Sequence, residues 1–127
     1  MVEMIVVLPI LLFVMFAIVE LSRAWFTLQV TTNAAREGAR AAAVAKTANV
    51  TTEGNARIDT ILSAAGITAA SRNVPAPTAV SCGTPPCDQE VVATVSVNFQ
   101  TFFPLLQGTR LQTINMTQIA RMRFEGG

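Results

Sequence analysis

The sequence predicts an α+β chain. A long N-terminal hydrophobic helix carries a small head, made of a second helix and an antiparallel β-hairpin packed on the helix's polar half. Three observations predict this. Residues 4–19 are sixteen apolar residues in a row, with Glu3 just ahead of them. The helical pattern then runs on through an alanine-rich polar half. Near the C-terminus the spacing of apolar residues changes from about 3.6 to two.

The greasy run approaches the roughly 20 apolar residues that a membrane-spanning helix needs. It does not read as a secretory signal peptide, because the basic n-region is missing and no small-residue cleavage pattern follows it. A basic leader already removed from ahead of Met1 is one expectation. Beyond Glu20, larger side chains at Leu21, Ala24, Trp25, Leu28 and Thr31/Thr32 keep helical spacing. The stretch Ala34 to Lys46 is then rich in alanine, the best helix former. One helix over residues 1–46 follows, with residues 1–22 as its membrane or filament-core part; residues 47–127 form the head. Pro9 removes one backbone hydrogen bond and is expected to kink or loosen the rod locally.

Glu3 lies within the greasy region. A carboxylate there costs roughly 2.5–3.5 kcal/mol on insertion scales, so it needs a proton, a cationic partner such as an α-amino group, or a place at the membrane–water interface. Glu20 with Arg23, and Glu37 with Arg40, stand three apart and can pair along the helix. Small residues recur every four positions, Ala34, Gly38 and Ala42 on one stripe and Ala35, Ala39 and Ala43 on the next. Such stripes admit another backbone at close range. They serve either a seam between helices or a seat for the head.

In the head, residues 46–55 read as a break. A second helix follows, capped by Thr52 or Asn55, with Ile58, Ile61, Leu62 and Ala65 on one face and Gly66 at its stop. Residues 67–80 read as a loop. Val91, Ala93, Val95, Val97 and Phe99 alternate with Val92, Thr94, Ser96, Asn98 and Gln100 as a strand with one dry and one wet face. Ile114, Met116, Ala120, Met122 and Phe124 form the dry face of its partner; Gln118 and Ile119 invert the pattern, predicting a bulge or a paired polar site. Phe102, Phe103, Leu105 and Leu106 between them read as a core plug. Two strands alone are marginal in water, so the hairpin is expected to lie on the long helix.

The composition argues against several classes. The chain holds no His and no Tyr, and its net charge is +1. Lys and Arg are scattered, without a footprint for nucleic acid. No phosphate-cradling glycine loop, activated nucleophile or metal cluster is visible, so the sequence reads as a non-enzyme without a cofactor. Asp88, Glu90 and Asp59 read as solvated charges. Cys82 and Cys87 bracket Gly-Thr-Pro-Pro; they read as a small disulfide-closed loop in an oxidising compartment, with two reduced thiols as the alternative. A loop that short contributes about 2 kcal/mol on the chain-entropy account. Asn49-Val50-Thr51 and Asn115-Met116-Thr117 fit the N-glycosylation acceptor pattern, with Asn49 the better candidate.

Three blocks resemble the TadE-like pilin and pseudopilin family of tight-adherence (Tad) secretion systems. They are Val2-Glu3-Met4-Ile5-Val6-Val7-Leu8-Pro9-Ile10-Leu11-Leu12, Ile18-Val19-Glu20-Leu21-Ser22-Arg23-Ala24 and Thr32-Asn33-Ala34-Ala35-Arg36-Glu37-Gly38-Ala39-Arg40. The Phe-Phe-Pro-Leu-Leu connector and the closing Gln118-Ile119-Ala120-Arg121-Met122-Arg123 are similar to that family's final hairpin. The resemblance implies a prepilin. It would insert into the inner membrane, lose a leader to a prepilin peptidase, and be drawn into an extracellular homo-oligomeric filament by an assembly platform and its ATPase. It also implies that Glu3 corresponds to the acidic residue near the mature N-terminus of such subunits. That acid usually stands fifth after cleavage and here stands third from Met1; either the true start lies upstream or the contact geometry differs. The sequence admits a main structural subunit, a minor pseudopilin that initiates or tips a filament, or a single-span anchored binding module that never polymerises.

Overall fold

The protein is described here by a computed structural model, which covers residues 2–79, 88–101 and 113–125. Helix α1 spans Val2–Val44 without interruption, 43 residues, or ~65 Å at 1.5 Å per residue. Pro9 lies inside it and the helical assignment continues through that position. Its missing N–H falls in the third turn, so only one hydrogen bond is lost and the apolar run continues on both sides. A 3₁₀ turn over Thr47–Asn49 leads into α2, Val50–Ala64.

Four strands follow: β1 Ser71–Asn73, β2 Thr78–Ala79, β3 Gln89–Gln100 and β4 Thr113–Arg123. All pair antiparallel. β3 is central and β4 runs along one whole side of it, from Glu90 opposite Arg123 to Gln100 opposite Thr113. β1 and β2 share the other side, against Thr94 to Ser96 and against Gln89 and Glu90 respectively. The expected hairpin is therefore the main part of a sheet three strands wide.

Three details correct the sequence expectations. The segment expected to be a loop over residues 67–80 contains β1 and β2; strands of three and two residues are too short to show any period. Helix α2 begins at Val50 rather than at a cap on Thr52 or Asn55. Val50 is 1% exposed, and its burial outweighs the poor helix propensity of the threonines around it. No bulge interrupts β4, since its register against β3 is one-to-one throughout. Gln118 keeps the half-buried inward register, and Ile119 points outward, 60% exposed.

The core lies where α2 and the sheet close over the second half of α1. Val91, Ala93, Val95 and Val97 of β3 are buried, as are Ile58 and Leu62 of α2 and Ala34, Ala35, Ala39 and Ala42 of α1. The small residues decide how close the layers come. A Cβ added at Gly38 would sit 2.5 Å from Cγ1 of Ile58 and 3.3 Å from the Gly54 carbonyl oxygen. One added at Gly54 would sit 2.9 Å from Val74 and 3.2 Å from the Ala42 Cβ. Gly54, expected to belong to a helix break, instead sits within α2 where the two helices cross.

The ends are tied down. Helix α2 stops at Gly66, whose φ of +69° suits a residue without a Cβ. The Gly66 N–H donates to the Ser63 carbonyl and the Ile67 N–H to Leu62, the double bond of a Schellman cap. At the far end the Glu125 N–H donates to the Ala43 carbonyl at 2.9 Å, fastening the end of the sheet to the end of α1. Surface ion pairs staple the layers: Arg72 to Asp59 at 3.0 Å and Arg57 to Glu37 at 3.9 Å. Arg72 and Asp59 are both nearly half exposed, so Asp59→Ala is expected to lower stability by at most about 1 kcal/mol. A urea midpoint in detergent measures it; a loss several times larger would show that the staple does more than a solvated pair.

Candidate assembly surface

Residues 4–19 project from the head. Every large apolar side chain among them is between 40% (Leu12) and 72% (Ile5) exposed. An 18-residue window of α1 has a mean hydropathy of 2.9, and none of that window is buried within the chain. By length and composition this helix can cross a membrane. Each such side chain gains roughly 1.5–3 kcal/mol on leaving water, so an oily rod of this kind is stable only when something else wraps it.

The rod changes character over residues 20–32. Arg23 donates to Glu20 at 3.0 Å, and its guanidinium lies 5.6 Å from the centre of the Phe99 ring at the end of β3. A cation over an aromatic face is attracted by the ring quadrupole. The polar pair is thus fixed at the lower edge of the head. On the helix around it, Trp25 and Phe26 are exposed, and with Leu21, Ser22 and Gln29 they line an open apolar groove of about 610 Å³. Trp beside Arg at the end of an apolar run is the residue pattern of a membrane–water boundary. Thr27, Thr31 and Thr32 each donate their hydroxyl to the carbonyl four residues earlier. These back-bonds satisfy polar groups within the helix, which lets Thr31 be fully buried at the point where the head begins.

The residues singled out from the sequence fall in three places. Glu3 is exposed in the first turn of α1, Pro9 lies two turns on, and the Glu20–Arg23 pair marks the lower edge of the head. Ala34, Ala35, Gly38, Ala39 and Ala42 are buried beneath α2 and the sheet. Within one chain, the stripe seats the head. Glu37 and Arg40 pair at 3.9 Å. Asn49 is exposed at the end of the 3₁₀ turn, and Asn115 is exposed on β4, where its Oδ1 accepts a bond from the Thr117 hydroxyl at 3.3 Å. Asp88 and Glu90 are engaged by Arg123 at 2.8 Å and Arg121 at 3.8 Å. Cys82, Cys87 and the connector Phe102, Phe103, Leu105 and Leu106 lie outside the described residues. Sequence reasoning missed the groove at Trp25 and Phe26 and the stacking of Arg23 on Phe99. An aromatic pair just past the first arginine was the signal for the groove; the contact with Phe99 joins residues far apart in sequence and left none.

Comparison with curated proteins and with solved structures found no match. Residues 1–40 match the family model described as TadE-like protein, over the same blocks that carry the resemblance. That match covers the apolar rod and the start of the small-residue stripe, and the rod is by length and composition able to cross a membrane.

Proposed function

We propose that the chain is a structural subunit of an extracellular Tad or type IV-like filament, held in the inner membrane by its rod and later packed rod against rod in the filament core. The observation that carries this reading is the division of labour along α1. Its small-residue half is consumed by the chain's own head, while residues 4–19 are left exposed on every side. A rod of that kind exchanges lipid for sister rods at little cost in apolar contact. Leader removal by a prepilin peptidase and extraction by a platform with its ATPase belong to the same reading. So do the proposed assembly roles of Glu3, Pro9, Glu20 and Arg23 and a non-enzymatic nature for the chain.

The test is electron microscopy and mass analysis of material sheared from the surface of cells that make the protein, with native Glu3 and with Glu3→Ala. The chain is expected as a main component of the sheared filaments. The variant is expected to accumulate in the membrane with filament growth lost or greatly slowed. Normal filaments from Glu3→Ala would remove the role of that carboxylate. A chain present only in trace amounts beside a shorter pilin would make it a minor, initiating or tip subunit. A monomer that stays with the lipid fraction after shearing would make it an anchored binding module.

A further inference from the structure

The open groove on α1 lies on the side turned away from the head. A helix turns ~100° per residue, so Trp25 points ~200° away from Arg23, whose guanidinium lies against Phe99 of the head. Leu21, Trp25 and Phe26 are 71%, 62% and 55% exposed, and Gln29 closes the groove at its upper end. Glu20 and Arg23 are the only charged residues between Val19 and Arg36, and their pair is fixed at the lower edge of the head. The open face therefore carries no charge from Met4 up to Gln29. Residues 4–19 measure ~24 Å along the axis, about 6 Å short of a hydrocarbon core of about 30 Å. Below the run stands Glu3, a carboxylate that is costly to sink further. Above it, on the head side, stand Glu20 and Arg23. Only the open face continues apolar, through Leu21 and Trp25 to Phe26, and with it the apolar length from Met4 reaches ~35 Å.

We infer that lipid covers the groove at Leu21, Trp25 and Phe26 while the chain is held in the membrane, so that the bilayer surface crosses α1 obliquely, near Phe26 on the open face and at the Glu20–Arg23 pair on the head face. The inference rests on the membrane-held state proposed above and adds its depth and lean. The groove continues the apolar surface of the rod. The leaflet that covers Ile18 reaches Leu21 and Trp25, three and seven residues on along the same face. Trp25 suits the upper limit of such a surface, because its ring is apolar and its indole N–H bonds to water or headgroups at the boundary. Gln29, one turn above Trp25, stands in water. A span longer than the hydrocarbon is accommodated by tilt. Here the lean has a direction, toward the open face, with the head carried on the upper side. A second copy fits the groove less well. Helices that associate in lipid approach closely through small residues, whereas this surface presents two bulky rings and, below Gln29, the hydroxyl of Ser22 as its one polar side chain.

Trp25 is the only tryptophan and the chain has no tyrosine, so tryptophan fluorescence reads this surface alone. The full native chain, purified in detergent, is reconstituted into vesicles of phosphatidylcholine and phosphatidylglycerol. Its emission is expected to the blue of free tryptophan. Lipid brominated near the headgroup end of the acyl chain is expected to quench it strongly, lipid brominated near the methyl end less, and iodide supplied on both sides of the vesicles very little. None of this is expected to change as the chain is diluted with excess lipid. Gln100→Trp in a Trp25→Phe background moves the probe to the exposed lower edge of the head, where Gln100 shares a recess with Arg23. That probe is expected to be reached by iodide and little quenched by brominated lipid. Iodide reaching Trp25 as readily as free tryptophan would overturn the inference. So would shielding of Trp25 from iodide and brominated lipid alike, the mark of a second copy in the groove. Equal lipid quenching of the two probes would make the boundary level and overturn it as well. A chain that does not float with the vesicles would overturn the membrane-held state itself.

Discussion

Gly38→Leu is expected to unseat the head from α1. The first side-chain carbon alone would stand 2.5 Å and 2.8 Å from two atoms of Ile58, a side chain that is itself fully buried. The Gly54 carbonyl, 3.3 Å away on α2, is backbone and cannot turn aside. Leucine adds three further carbons at a helix crossing with no room for the first. Overpacking of this kind costs about 3 kcal/mol, a large share of the 5–15 kcal/mol that usually holds a domain together. The expected result is a lower urea midpoint in detergent and faster proteolysis of the head, with the apolar rod still in the membrane. Gly38→Ala in the native chain and in an Ile58→Ala background separates packing from propensity. Alanine favours helix by up to about 1 kcal/mol in either background, so if the clash with Ile58 is what matters Gly38→Ala should cost less where Ile58 is already alanine. An equal cost in both backgrounds would place it elsewhere.

Leu11→Asp combined with Val14→Asp is expected to abolish membrane anchoring. Twelve of residues 4–19 are Leu, Ile, Val or Phe, and each favours insertion by roughly 0.3–0.6 kcal/mol, giving about 4–7 kcal/mol for the run. One aspartate at the centre costs about 2.5–3.5 kcal/mol, so a single substitution weakens insertion and two nearly cancel it. The two positions are three apart on one helix face, where like charges also repel. Alkaline carbonate extraction of membranes reads the result: the double variant moves to the soluble fraction or is degraded, while each single variant remains largely in the pellet. Retention of the double variant in the pellet would show that something other than this rod holds the chain to the bilayer.

The long helix and its two-part character were legible because each part has a strong local cause. Sixteen apolar residues need wrapping, and the alanine run is helical by propensity before any packing is considered. The alanine and glycine stripe was legible as a close-packing face, with a seat for this chain's own head as one of two open readings. Choosing between a seam and a seat required knowing where α2 crosses, and that is fixed by Gly54 and Ile58 far along the sequence. The dry face of β3 was read correctly residue by residue, since strict alternation over Val91 to Phe99 has one explanation. β1 and β2 were not legible, because strands of two and three residues are defined by their partner rather than by their own pattern. Gln118 misled for a related reason. A polar side chain can hold an inward position when the strand is at an edge and its burial is only partial, so no bulge was needed. At the candidate surface, the Glu20–Arg23 pair was visible as a spacing of three. Its contact with Phe99 came from the fold.

The head grips the same unbroken helix that forms the rod, with no glycine ahead of Gly38 and no second proline within α1. A flexible joint between the two would let the head swing and would disperse any pull as bending. Here tension applied to the head passes down the parallel rows of axial hydrogen bonds of one helix, with the close helix crossing acting as the collar that transmits it. Such a subunit under load resists as a stiff pin, and it should fail by slipping out of its surroundings before it yields at a neck.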